Sequence, residues 1–254
     1  MHAHLLKPIR NPHLSKVAGD VDHLYHLGLH SGMDLAGMFH DTKFVCMGGS
    51  AQRIEKFAQE VAAALHIGDS MPAPIGKTER FSLFKAGPVI CVSHGMGMPS
   101  HSILLHEITK LLHYAGASDV VYVRIGTSGG VGVAGGTVVV GKSAVNGELQ
   151  CSFKRVVLGR VVEHSTEFDA ELAAEAVALA RREPVIDCVL GNTMGTDDFY
   201  EGQARMDGAI CEYDEAARLD FLERAFAAGV RNIEMEAPQF AAFCRRLGIP
   251  ASVS

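Results

Sequence analysis

Arg124-Ile-Gly-Thr-Ser-Gly-Gly130 sets a guanidinium and two hydroxyls among glycines, at the end of the apolar run that begins at Asp119. The run is rich in β-branched residues and has no helical period, so it reads as a buried strand. The turn after it can bring backbone N–H groups close to an anion, which Arg124 would grip with a planar fork of donors. A buried arginine is expensive unless something negative meets it. The plain alternative is a structural Arg–carboxylate pair beside a tight turn. The turn has neither the GxxxxGK[ST] spacing of a P-loop nor a GxGxxG pattern.

Two other stretches carry chemistry. The polar segment Gly191–Gly208 holds Phe199 and Tyr200, then an amide and a guanidinium two apart, Gln203 and Arg205. That set suits a flat ring bearing carbonyls and an N–H; an ordinary surface loop with a salt bridge is the competing reading. Asn232–Glu236 reads as a short strand whose Glu234 and Glu236 point to one face. Paired there, carboxylates suit sugar hydroxyls, or they keep an edge strand soluble. Weaker signals are the Gly48-Gly49-Ser50 turn, the His94–Met98 turn and Arg80, which spacing alone leaves on the surface. His23, His26 and His30 fall at helical spacing on a helix expected near Asp22–Leu29, where a solvated face is the simpler reading.

The elements that must position these groups alternate. Strands are expected at 43–50, 120–125, 137–140, 156–162 (interrupted by Gly159), 185–190, 232–236 and from about Ala251, with a hairpin over 80–94. Helices are expected over 52–66, 100–114 with Ser100 as N-cap, 169–182, 215–228 closed by Gly229, and 237–247. This order predicts one α/β domain with a mostly parallel or mixed sheet. In such sheets ligands sit beyond the carboxyl ends of strands, where these turns cluster.

Composition narrows the classes. The 254 residues are 48% hydrophobic and 20% charged with net charge −6, so no phosphate-backbone footprint for nucleic acid is present. No apolar run has membrane-spanning length, and Met1–Pro8 lacks a signal-peptide layout. Six scattered cysteines without a CxxC pair make the cytoplasm the default compartment. Thirteen histidines form no metal motif, and no cofactor motif occurs; neither metal nor cofactor is expected.

Five segments together resemble the uridine phosphorylases, their animal-type branch above all: Phe44-Val-Cys-Met-Gly-Gly-Ser50, Val92-Ser-His-Gly-Met-Gly-Met-Pro-Ser100, Arg124-Ile-Gly-Thr-Ser-Gly-Gly130, Asp198-Phe-Tyr-Glu-Gly-Gln-Ala-Arg-Met-Asp-Gly-Ala209 and Arg231-Asn-Ile-Glu-Met-Glu236. The third and fifth are similar to the wider nucleoside phosphorylase family; the fourth narrows the likeness to the uridine-specific branch. The likeness runs from about Asn11 to the end. It implies a single domain over 1–254 with a three-layer, mixed-sheet fold and residues 1–20 irregular. It implies a pentosyltransferase that converts uridine and inorganic phosphate to uracil and ribose 1-phosphate, with phosphate as co-substrate and no cofactor, in pyrimidine salvage and catabolism.

By the same resemblance, phosphate is held by Gly49, Arg124 and Thr127, and by Arg80 of a neighbouring subunit. The nucleoside is held by Thr127, Ser128, Gly129, Phe199, Gln203, Arg205, Met235 and Glu236, with His26 crossing a homodimer interface to the ribose 5′-hydroxyl. Arg124, Gln203 and Arg205 carry the catalysis. The family continues beyond Ala251-Ser-Val-Ser254, so the rest of the last strand and a C-terminal helix are expected to be missing. Competing readings are another nucleoside phosphorylase, a nucleosidase (which needs no arginine clamp) and a non-catalytic nucleoside binder.

Overall fold

The computed structural model describes residues 9–17, 19–67, 72–76 and 78–254; Met1–Pro8, read above for a signal peptide, lie outside them. The chain folds as two compact units, one running to Ile125 and including Arg246–Pro250, the other comprising Gly126–Arg245 and Ala251–Ser254. Both are α/β, with mixed sheets and flanking helices.

In the first unit come α1 (Leu14–Val17), β1 (His23–Leu24), β2 (Leu29–His30), α2 (Leu35–Phe39), β3 (Phe44–Gly48) and α3 (Ala51–Ala64). Then follow β4 (Leu83–Ala86), β5 (Val89–Ser93), α4 (Met98–Ala115) and β6 (Val121–Arg124). Their order in the sheet is β6-β3-β5-β4, with β3 parallel to β5 and β6 and β4 antiparallel to β5. The expected 80–94 hairpin is thus present. Helix α3 lays Ile54 and Ala58 on Cys46, Phe84, Val89 and Cys91. Helix α4 buries Leu104, Leu105, Ile108, Leu111 and Leu112 and ends at Gly116, which takes the left-handed conformation (φ +67°).

The expected helix over Asp22–Leu29 is instead an antiparallel hairpin, β1 on β2. Leu24, Leu27 and Leu29 are all buried, a set that one helical face cannot present together. Gly28 allows the reversal at φ +67°. The hairpin is tied to α4: Asp22 accepts from Lys110 Nζ at 2.9 Å and from the Tyr114 hydroxyl at 2.7 Å. Ser100 is not the N-cap of α4. That place belongs to Gly97, and the Ser100 hydroxyl donates to the His94 carbonyl at 2.7 Å, closing the turn before the helix.

The second unit holds β7 (Gly129–Gly130), β8 (Val138–Val145), β9 (Ser152–Val157), β10 (Arg160–Ser165), α5 (Ala170–Ala180) and β11 (Cys188–Gly195). A 3₁₀ turn (Glu201–Gln203), α6 (Glu215–Ala227), β12 (Val230–Glu234), α7 (Ala237–Leu247) and β13 (Ala251–Val253) complete it. The sheet order is β7-β12-β11-β8, with β11 parallel to both neighbours and β7 antiparallel to β12. Val131, Val145, Met194, Ala225, Val230 and Ile233 form its core under α6.

Three expectations shift here. The interrupted strand over 156–162 is a separate β9–β10 hairpin, because Leu158 and Gly159 both take positive φ and reverse the chain. The strand expected at 185–190 begins only at Cys188 and runs on to Gly195, leaving Val185 91% exposed. The strand expected over Asn232–Glu236 ends at Glu234.

Helix α5 starts where Asp169 accepts from the Leu172 N–H at 2.9 Å. Asp169→Ala leaves that amide orphaned and is expected to cost about 1 kcal/mol, read as a lowered urea midpoint with an unchanged slope.

Candidate active site

In the first unit the site grows from the carboxyl ends of β3, β5 and β6. Arg124, the last residue of β6, lies in register with Met47 of β3 and is only 4% exposed. The next β3 residue is Gly48, where a Cβ would come 2.9 Å from Ile54 Cδ1 and 3.2 Å from the Ile125 carbonyl. At Gly49 a Cβ would meet the Gly95 carbonyl at 3.1 Å. The two glycine turns therefore approach as bare backbone, joined by a hydrogen bond from the His94 N–H to the Gly48 carbonyl at 2.9 Å. Ser50 stands at the N-cap of α3 without a side-chain capping bond, so the first amides of that helix are available to an anion.

Two residues that sequence reasoning did not single out, Arg53 and His101, join this corner, together with His94 of the expected turn. Arg53, on the first turn of α3, brings Nη2 to 3.9 Å from where a Gly49 Cβ would stand. Its only signal was a guanidinium three residues after Gly-Gly-Ser. His94 and His101 are fully buried with ring centroids 4.5 Å apart. Burial first, then the Arg124 charge, pushes His94 down to about 3. Burial, His94 and Arg124 likewise hold His101 well below the ordinary imidazole range. Both rings are neutral at neutral pH, and the positive charge here rests on the arginines.

His26 and Arg80 lie together in this unit. The Thr78 hydroxyl donates to the His26 carbonyl at 2.8 Å and accepts from the Arg80 N–H at 3.2 Å. Phe81 packs between them, its ring centroid 6.0 Å from that of His26 and 5.8 Å from the Arg80 guanidinium carbon. Arg80 is exposed, with Nη2 3.5 Å from the Ser100 hydroxyl. His26 Nδ1 lies 2.6 Å from Glu107 of α4, a partner invisible in sequence because the hairpin that carries His26 was read as a helix.

In the second unit Thr127 and Ser128 lead into β7, which pairs Gly129 with Ile233 and Gly130 with Asn232. Asn232 donates to the Ser128 hydroxyl at 3.0 Å. Glu234 and Glu236 do not share a strand face as expected. The Glu234 carboxylate turns back to accept from the Glu236 and Ala237 N–H groups at 2.9 and 2.8 Å, capping α7. Gly195 on β11 leaves room for it, since a Cβ there would stand 2.8 Å from Glu234 Oε1. Glu236, buried, sits past the strand end beside half-buried Met235.

The polar loop after β11 is ordered by Asp198, whose carboxylate accepts from the Tyr200 and Gly202 N–H groups at 3.0 and 2.7 Å. That folds the 3₁₀ turn bearing Gln203. The Arg205 guanidinium carbon lies over the Phe199 ring, 4.4 Å from its centroid, and Arg205 donates through Nε and Nη2 to both oxygens of Asp207 at 2.9 and 2.5 Å. The salt bridge of the plainer reading is present, and Phe199, Gln203 and Arg205 lie close together along this loop. Among the described residues no group of three His, Cys, Asp or Glu is placed to hold a metal, and no helix is long and apolar enough to cross a membrane.

Residues 43–254 match the model of the phosphorylase superfamily. Over 96% of its length the chain is 47% identical to uridine phosphorylase 2 of Mus musculus, spanning 77% of that protein. A solved structure from work on uridine phosphorylases of the oomycete Phytophthora capsici matches with TM-score 0.92 and 46% identity, over 98% of this chain and 84% of that one. A uridine phosphorylase of Schistosoma mansoni in complex with uracil matches with TM-score 0.91 and 38% identity, over 96% and 85%.

The buried imidazoles make stability depend on pH. An unfolded histidine takes up its proton near 6.5, whereas folded His94 does so only near 3. The unfolded chain therefore binds more protons between those values, and stability falls as pH drops through that window, by up to about 1.4 kcal/mol per pH unit for each such ring. His101→Leu is expected to flatten this acid limb: its urea midpoint should fall less than that of the parent between pH 7 and pH 5.

Proposed function

The chain belongs to the uridine phosphorylase branch of the phosphorylase superfamily, and we propose that it performs the reversible phosphorolysis of uridine with the residues described above. The observation that carries the substrate assignment is the Phe199–Arg205 stack with Gln203 on the adjoining turn. An aromatic face, an amide and a guanidinium meet the requirements of a flat ring edged by carbonyls and an N–H. The Schistosoma relative that holds uracil supports the same reading.

A phosphate oxygen attacks the anomeric carbon of ribose while the glycosidic bond to uracil breaks. The bonding pair leaves with the base, so the sugar acquires oxocarbenium character and uracil acquires negative charge. Arg124, Thr127 and the Gly49 amide hold the phosphate in line; Arg53 stands next to Gly49, and Arg80 is supplied by a neighbouring subunit. Neutral His94 and His101 leave that positive corner uncluttered by further titrating charge. Thr127, Ser128, Gly129, Met235 and Glu236 hold the ribose, and Glu236 accepts from its hydroxyls. Arg205 and Gln203 stabilise charge on the departing base, directly or through water. His26 of the neighbour meets the 5′-hydroxyl, which makes a homodimer the working unit. The co-substrate is inorganic phosphate, and no cofactor enters. The setting is the cytoplasm, in pyrimidine salvage and catabolism; six free cysteines fit a reducing compartment.

Uracil release from uridine, followed by absorbance, should require phosphate; release without phosphate would indicate hydrolysis, and binding without release a non-catalytic relative. Truncating Gln203 or Arg205 to Ala should lower kcat/KM by about one hundredfold, the scale of losing one preorganised donor, and near-parental values would remove the role. Gly49→Ala should raise KM for phosphate and leave KM for uridine nearly unchanged, since its methyl enters the space between the two glycine turns.

A further inference from the structure

His26 is anchored by one carboxylate that the mechanism above does not use. Glu107 is mostly buried, its side chain 13% exposed against 40% for His26. Its Oε2 accepts from the backbone N–H groups of His26 and Leu27 at 2.9 and 3.1 Å, and its Oε1 lies 2.6 Å from His26 Nδ1. Three hydrogen bonds from one residue fix both the loop and the ring. We propose that Glu107 is a positioning residue for His26, selecting its tautomer and turning Nε2 outward for the sugar of the neighbouring subunit. The proposal rests on the assignment of His26 to the ribose 5′-hydroxyl.

A carboxylate offers acceptors only, so the short contact requires the proton on Nδ1. In the neutral ring Nε2 then carries the lone pair, which is the partner a 5′-hydroxyl donor needs. Without Glu107 the ring can exchange tautomers or rotate, and the lone pair is no longer presented in one direction. The hairpin has other anchors besides this carboxylate. Asp22 remains held by Lys110 and Tyr114, and Leu24, Leu27 and Leu29 remain in the core.

Glu107→Gln tests the tautomer, because the amide keeps an oxygen for the backbone N–H groups but adds a donor that can face Nδ1. Uridine and 5′-deoxyuridine are compared as substrates for the parent, Glu107→Gln, His26→Ala and the double variant. Loss of one oriented hydrogen bond should lower kcat/KM for uridine about tenfold in either single variant, with 5′-deoxyuridine turned over at nearly the parental rate. The double variant should be no worse than His26→Ala. Equal losses on both substrates in Glu107→Gln, or a further loss on uridine in the double variant, would show a merely structural carboxylate and overturn the proposal. If His26→Ala leaves the preference for uridine over 5′-deoxyuridine intact, the assignment of His26 itself fails and the proposal falls with it. That outcome is distinct from a failure confined to Glu107→Gln.

Discussion

Arg124 is a guanidinium, which keeps its charge at any working pH, held almost out of water at the end of a sheet strand. Removing an ion from water costs several kcal/mol before anything is recovered, and much of the first unit reads as a response to that cost. The neighbouring imidazoles give up their protons instead of adding to the charge. The adjoining turns are glycines, whose backbones pack too closely on their neighbours to leave room for a side chain. The start of α3 offers uncapped amides and Arg53.

The second unit handles its guanidinium in the opposite manner. Arg205 stays near the surface, where its charge costs little, and is kept in one pose by Asp207 along its edge and Phe199 across its face. An exposed ion pair contributes little stability; what it contributes here is orientation. Glu234 shows the same economy with an acidic group. A carboxylate that looks suited to a sugar closes the start of α7, and thereby sets where Met235 and Glu236 leave the strand.

Much of this was legible in the residues, for physical reasons. Strand ends such as β3 and β6 announce themselves because a buried parallel strand is apolar throughout and its turn requires glycine. Helix α7 matches its expected limits of 237 and 247, and Gly248 just beyond it takes positive φ. What escaped was whatever depended on contacts distant in sequence. The spacing of His23, His26 and His30 imitates a helix; only the burial of three leucines and the ties to α4, about eighty residues on, make the segment a hairpin. Glu234 and Glu236 look like a pair until a backbone amide claims one of them. Leu158-Gly159 reads as a flaw in a strand unless both residues are known to take positive φ.

One helix joins two features of the first unit. The hydroxyl of Ser100 closes the glycine turn at the start of α4, and Glu107 anchors His26 seven residues later. Lys110 and Tyr114 continue the same stripe along the helix. Seven residues of α-helix are two turns, about 10.5 Å of rise. Helix α4 is in effect a ruler whose two marks are the His94–Ser100 turn and His26. Side chains between the marks can be exchanged as long as the apolar face is kept. Adding or deleting one residue there would swing Glu107 about 100° around the axis and uncouple the two marks, so this stretch should accept substitutions far more readily than changes in length.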